Sequence, residues 1–436
     1  MDYKSPYSHL NNRHVFNPSK PFVITALIML IIGSIIGSFW MMMMYGVILP
    51  TELANTIQLH KLLQFEGFIT LIIMGIGYLI VPRFRNVSVP SIKLVYISYG
   101  LILASVIFSI IVSTSSTPQL IETIGFSLAG FCRIFGVGIF CFMILLILRI
   151  PPKLLRLADY FIGLSIVLFA CLAVSNVLNY NGITNNVQLW LMFPIMMIFG
   201  IEYKTLPSFI GFIWPRKKLS IMSAGVLTIS LGFGLVSSFI QDNILIDAMF
   251  RFFLLAGVVC FTCALNVFAG FDNSNILKLS KGEKKARYKY TLVISKLSFT
   301  LLLIGITLSI ISMFFSEIFF LYDMWIHITA IGFIGLTVAL YLPLMLPPIL
   351  GRTVRFIHIS KLPIWLIITS LSIRMVGDVF IHLVSISGQS SFQFLALPLS
   401  LSGWMILAAI LSFMFMIHRS MNTPGQIYSE DGTMPL

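Results

Sequence analysis

The chain predicts an all-α integral membrane protein, a bundle of about twelve transmembrane helices with both termini in the cytoplasm. Three observations carry that fold class. Hydrophobic residues fill 58% of the 436 positions and charged residues only 10%, more apolar chain than a soluble core uses. Apolar runs of about 20 residues, the length that crosses a bilayer, follow one another from end to end. Basic residues gather in alternate connections, the pattern that sets orientation.

The spans read at 22–45, 59–82, 93–113, 121–148, 158–178, 187–210, 219–240, 247–270, 291–314, 323–346, 361–384 and 393–417. The first run is too long for a signal-peptide core and has no small-residue cleavage site after it, so it counts as the first helix. Lys4, Arg13 and Lys20 precede it. Arg83, Arg85 and Lys93 follow the second span, Arg149, Lys153 and Arg156 the fourth, and Arg216 to Lys218 the sixth. The opposite connections offer Glu52, Glu122, Asp242, Asp247, Glu317 and Asp323, with no Lys or Arg. Lys and Arg in short loops stay cytoplasmic, so both ends are expected there. This divides the chain into a cytoplasmic tail, 1–21, a membrane domain, 22–417, and a second cytoplasmic tail, 418–436, whose Pro, Gly and acidic residues suggest disorder. The longest polar connection, roughly 271–290, leaves no room for a soluble domain.

The net charge of +13 is spread along loops rather than gathered in a patch with aromatics, which excludes nucleic acid as the partner and points to the lipid bilayer of a cell membrane. All five cysteines fall inside spans, where a disulfide framework is not expected. No phosphate loop, HExxH zinc motif, Ser-centred nucleophile or CxxCH haem-attachment motif occurs.

Function is therefore sought in the charges that topology does not explain, because an ionisable group at membrane depth is costly. Lys61 and Lys296 sit where they can snorkel to an interface. Arg133, Arg251 and Arg374 lie deeper, with Glu66, Glu202 and Asp378 as acidic counterparts. In "SIRMVGDVFIHLV", Arg374, Asp378 and His382 recur at i, i+4 and i+8 and share one helix face. The carboxylate can neutralise the Arg or orient an imidazole, and the Arg can hold an anionic group such as a haem propionate. A buried structural triad is the plainer alternative.

Three of the seven histidines converge on the outer boundary. At about 1.5 Å per residue, His60 lies about 33 Å from the cytoplasmic end of its span and His382 about 31 Å from the end of its own, while His327 opens the tenth span. Neutral imidazole ligates haem iron, copper and zinc, so two such groups on different helices can hold a haem between them. Weaker signals are Met41 to Met44 and Cys260-x-x-Cys263, soft ligands that are more commonly packing residues, and Pro194 with Pro207, which mark a broken sixth helix.

The second span, with His60, Gly67-Phe68, Gly75 and Pro82, resembles the second helix of the NnrS family, membrane proteins of the nitric-oxide response that contain haem and copper. "MMIFGIEYKTLPSF" resembles that family's Gly, Arg and Pro signature, with Lys204 at its Arg. His327 with Gly332, Gly335, Gly351 and Arg352 resembles its tenth-helix signature. Leu62 and Ile349 replace two further histidines of the family pattern. The chain also looks like the catalytic subunit of haem-copper oxidases, in which one His from helix 2 and one from helix 10 hold the low-spin haem. His60 and His327 match those places. The sixth and seventh spans contain no His, so the oxidase's binuclear centre is not expected.

The resemblance implies a haem b held by His60 and His327, with Arg374 near a propionate and Asp378 and His382 behind it or as a further metal ligand. Copper is a possible second cofactor. The implied role is nitrosative-stress protection or membrane electron transfer, with nitric oxide and a quinol or cytochrome donor as partners. The alternative is a cofactor-free proton-coupled transporter using Glu66, Glu202 and the Arg374/Asp378 stripe. A third reading is a subunit that scaffolds an oxidase or its assembly.

Overall fold

The computed structural model describes residues 17–48, 53–114, 119–149, 156–177, 186–240, 243–269, 282–315, 319–351, 359–386 and 393–422. The polytopic reading is correct: the described residues form twelve helices long and apolar enough to span a membrane. They are α1 (Lys20–Met44), α2 (Asn55–Arg85), α3 (Ile92–Ser113), α4 (Thr123–Arg149), α5 (Leu157–Ser175) and α6 (Val187–Ser208), then α7 (Lys217–Phe239), α8 (Ile244–Leu265), α9 (Lys285–Phe314), α10 (Phe319–Ile349), α11 (Leu362–Ile381) and α12 (Leu395–Met421). Helix is the form such sequences must take, because lipid offers no partner for backbone N–H and C=O. An even number of crossings puts the first and last described helix ends on one side. The terminal residues 1–16 and 423–436 lie outside the described part, as do the connections that hold Glu52, Asp242 and Glu317.

Most consecutive helices pack on each other, and α1 packs on α12. The innermost are α2, α6 and α10, whose most apolar stretches are 83%, 89% and 72% buried against at most 56% in any other span. The inner helices thus recur at every fourth span. Their neighbours turn large apolar side chains to lipid and small polar ones inward: on α3, Ile97, Ile107 and Ile111 are exposed while Ser98, Ser105 and Ser109 are buried. Close packing of small residues drives association in a solvent as apolar as leucine. Most of the buried hydroxyls stay cheap by bonding to their own helix, as Ser38 does to the Ser34 carbonyl at 2.7 Å.

All three inner helices depart from α geometry. α2 carries a π segment at Leu62–Ile69 and α10 one of equal length at Ile328–Gly335, while α6 ends in a shorter one at Leu206–Ile210. Pro207 opens the last, in line with the broken helix expected there. Each insertion rotates the following side chains relative to the preceding ones, and π segments concentrate at functional sites. Below the first two, the interior is filled by phenyl rings. Phe199 stacks on Phe261 with centroids 3.8 Å apart, and Phe299 and Phe333 pack around them.

Several of the deep charges are paired, some of them between helices. Arg133 on α4 bonds Glu66 on α2, and Arg85, which reads as a loop residue, is buried against Asp159 of α5 at 2.7 Å. Arg251 pairs with Asp247, four residues away on α8, at 2.7 Å. Lys296 donates to the Ala269 carbonyl. Lys61 is exposed at the mouth of α2, as snorkelling requires. Lys61→Gln is expected to change stability by less than about 0.5 kcal/mol in a denaturation series in detergent, whereas a larger loss would mean that the ammonium is held.

Candidate functional site

The fold brings His60 and His327 together. His327 is the last residue before the π segment of α10, and His60 is the last but one before that of α2, with Lys61 between. Their ring centroids lie 6.4 Å apart with planes within 18°. Nδ1 of His60 is 2.8 Å from the Gly33 carbonyl, and Nδ1 of His327 is 2.9 Å from the Asp323 carbonyl. A carbonyl only accepts, so each Nδ1 carries a proton, and in a neutral ring so bonded Nε2 keeps the lone pair.

Local sequence explains the His60 contact. α1 carries Gly33 and Gly37 four apart, the small-xxx-small spacing that lets helices approach closely. A Cβ on Gly37 would stand 2.6 Å from the His60 ring, and one on Gly33 2.7 Å from Gln64 Nε2. Bare backbone on that face is what brings the Gly33 carbonyl within reach of the imidazole.

His327 has a different support. Asp323, one turn earlier on α10, places Oδ1 3.1 Å from His327 Nδ1 and accepts from Arg374 of α11 through Oδ2. Here the sequence reading needs correction. Asp323 reads as a loop acid, yet it lies inside α10 and is 9% exposed. Arg374 bonds Asp323 rather than Asp378, its neighbour at i+4. Asp378, also buried, accepts instead from the hydroxyl of Tyr45 at the end of α1. His382 lies in the helix that continues α11, its side chain outside the described residues.

The two histidines line a cavity of about 640 Å³ between α1, α2, α9, α10, α11 and α12, a size typical of ligand sites. One end is polar, with His60, His327, Asp323, Arg374 and Lys61. The rest is apolar and follows α10 as far as Leu342, about 28 Å from Asp323 at helical rise. Met41 lines the cavity, and Met42 accepts from Trp404 Nε1 at 3.2 Å, so these thioethers pack rather than cluster. Cys263 is exposed and all five cysteines are free thiols. Among the described residues there is no group of three or more His, Cys, Asp or Glu side chains placed to hold a metal ion.

Glu66 and Glu202, the other acids expected to matter, stand apart from the cavity. Glu66 is taken by Arg133, which also reaches Ser109 at 3.4 Å. Glu202 is fully buried, and neither of its oxygens has a hydrogen-bond partner among the described residues. Lys204, two residues on, points elsewhere and donates to the Phe84 carbonyl at 3.2 Å. Of the groups that sequence reasoning missed, Gly33 and Gly37 had a visible signal in their spacing. Asp323 and the π segments had none that a single sequence offers.

Compared with known proteins, the chain matches no family model and no curated protein. Fold and site together define a multi-pass, all-α membrane protein with a histidine pair at the polar end of an internal cavity.

Proposed function

We propose that this protein binds a b-type haem between His60 and His327 and uses it in membrane electron transfer or in the response to nitric oxide, as its resemblance to the NnrS family implies. The observation that carries the reading is the near-parallel imidazole pair. A metal held by both rings would need one nitrogen of each within about 2.0–2.1 Å. The rings stand 6.4 Å apart. Both Nδ1 atoms are engaged by oxygens, the arrangement that leaves Nε2 to ligate and fixes the ring. The cavity around the pair is mostly apolar, with Arg374 at the polar end to meet a carboxylate.

Bound there, a haem would supply one-electron chemistry, and two His ligands favour electron transfer over direct binding of nitric oxide. The chain's own work is to position the ligands: Gly33 and Asp323 hold the imidazoles, and the apolar wall excludes water. A quinol or a cytochrome is the electron donor in this reading. The distribution of Lys and Arg supports both termini on the cytoplasmic side, with the histidines at the outer face.

A second reading, a cofactor-free proton-coupled transporter, rests on two observations. This reading needs no three-ligand metal group, and none is found among the described residues. Glu202 is a buried carboxylate without a bonded partner, the kind of group that marks ion paths through membranes. The visible spectrum of the purified protein, expressed with haem supplied, separates the two. A sharp reduced α-band supports the haem, and a colourless protein supports transport.

A further inference from the structure

Glu202 lies outside the histidine cavity and outside every ion pair among the described residues. Its level in the bundle is fixed by the contacts above and below it. One turn earlier, Phe199 of α6 packs on Phe333 of α10 with centroids 6.1 Å apart. One turn later, the Tyr341 hydroxyl on α10 meets Thr205 Oγ1 on α6 at 2.6 Å. The rung between these two pairs Glu202 with Thr337, because residues three and four apart share a helix face. α9 supplies a third side. Phe299 lies 6.2 Å from Phe199 and 5.6 Å from Phe333. α9 runs antiparallel to both neighbours, so Ser295, one turn before Phe299 on the same face, comes to the level of Glu202.

Thr337 and Ser295 share the peculiarity of Glu202. They are 3% and 0% exposed, and neither hydroxyl has a hydrogen-bond partner among the described residues. Most buried hydroxyls here donate to a carbonyl one turn back, as Ser298 does to Ser295 at 2.9 Å and Thr205 to Ile201 at 2.9 Å. Unpartnered buried oxygens are costly, and three helices each contribute one such side chain at a single level. Ligands around a cation have this relation. With each oxygen about 2.3–2.6 Å from a hard ion, the oxygens stand beyond hydrogen-bonding distance of one another.

We propose that Glu202, Thr337 and Ser295 form a binding site for one hard monovalent cation, Na⁺, inside the membrane. Oxygen-only donors select an alkali or alkaline-earth ion over copper. A single carboxylate neutralises one positive charge, whereas a divalent ion would leave net charge in a low-dielectric interior. Occupancy ties α6, α9 and α10 together, and the site does not depend on the haem reading.

The test is thermal unfolding of the full-length protein in detergent, titrated with NaCl against choline chloride at constant ionic strength. Na⁺ is expected to raise Tm saturably by about 2–4 °C. Glu202→Gln should abolish the rise, and Thr337→Val and Ser295→Ala should each raise the half-saturating Na⁺ concentration about tenfold, the effect of losing about 1.4 kcal/mol. If Glu202→Gln does not fold, the two hydroxyl variants decide alone. An equal rise in choline chloride, a response to pH without one to Na⁺, or hydroxyl variants with unchanged half-saturation would each overturn the site.

Discussion

Arg374→Met should destabilise the protein by about 3–5 kcal/mol, the cost of stranding one member of a buried ion pair. The guanidinium is the partner of Asp323 across α10 and α11, and both side chains are nearly inaccessible. Removing it leaves a carboxylate in an apolar bundle with His327 as its remaining neighbour. Asp323→Asn in the same chain should recover most of the loss, because a neutral pair is far cheaper to bury. Denaturant unfolding of the two single variants and the double variant measures the coupling directly. If the single and double losses simply add, the two groups are not paired.

Gly37→Ala is expected to have the second large effect, and at a place where no charge changes. The added methyl would stand 2.6 Å from the His60 ring, so either the ring or the α1–α2 contact must move. Overpacking of this kind costs about 1–3 kcal/mol. The larger consequence is geometric: once the ring is displaced, its Nδ1 leaves the Gly33 carbonyl and the pair with His327 opens. On the proposed haem reading, haem retained per protein after purification should fall as far in this variant as in His60→Ala. Gly100→Ala, where a Cβ meets nothing within 4 Å, is the control and should behave as wild type.

The sequence was informative about whatever depends on local composition. Twelve spans follow from hydropathy, and α1 to α12 lie within about six residues of the expected ranges. Pairing across helices was not readable. Arg374 has an acid at i+4 on its own helix, and the spacing rule selects Asp378. The fold instead presents Asp323 from α10, a residue that reads as belonging to a loop because it opens an apolar run. Glu66 and Arg133 were visible as deep charges, but nothing in a single chain says that α2 and α4 face each other there. The π segments escaped for a similar reason, since one inserted residue in a uniformly apolar helix alters no periodicity worth measuring.

Those segments matter to the site. They have equal length and begin one residue after His327 and two after His60, so α2 and α10 present their imidazoles through similar local devices. This matched presentation is a stronger argument for a shared ligand than either histidine is alone.

The reduced-minus-oxidised visible spectrum of the wild type, His60→Ala and His327→Ala, each purified from cells supplied with haem, tests the central claim most directly. The account predicts a sharp low-spin α-band in the wild type that disappears in both variants, with the fold retained by circular dichroism. A wild type without colour, or an α-band that survives in either variant, would contradict a haem held between these two residues.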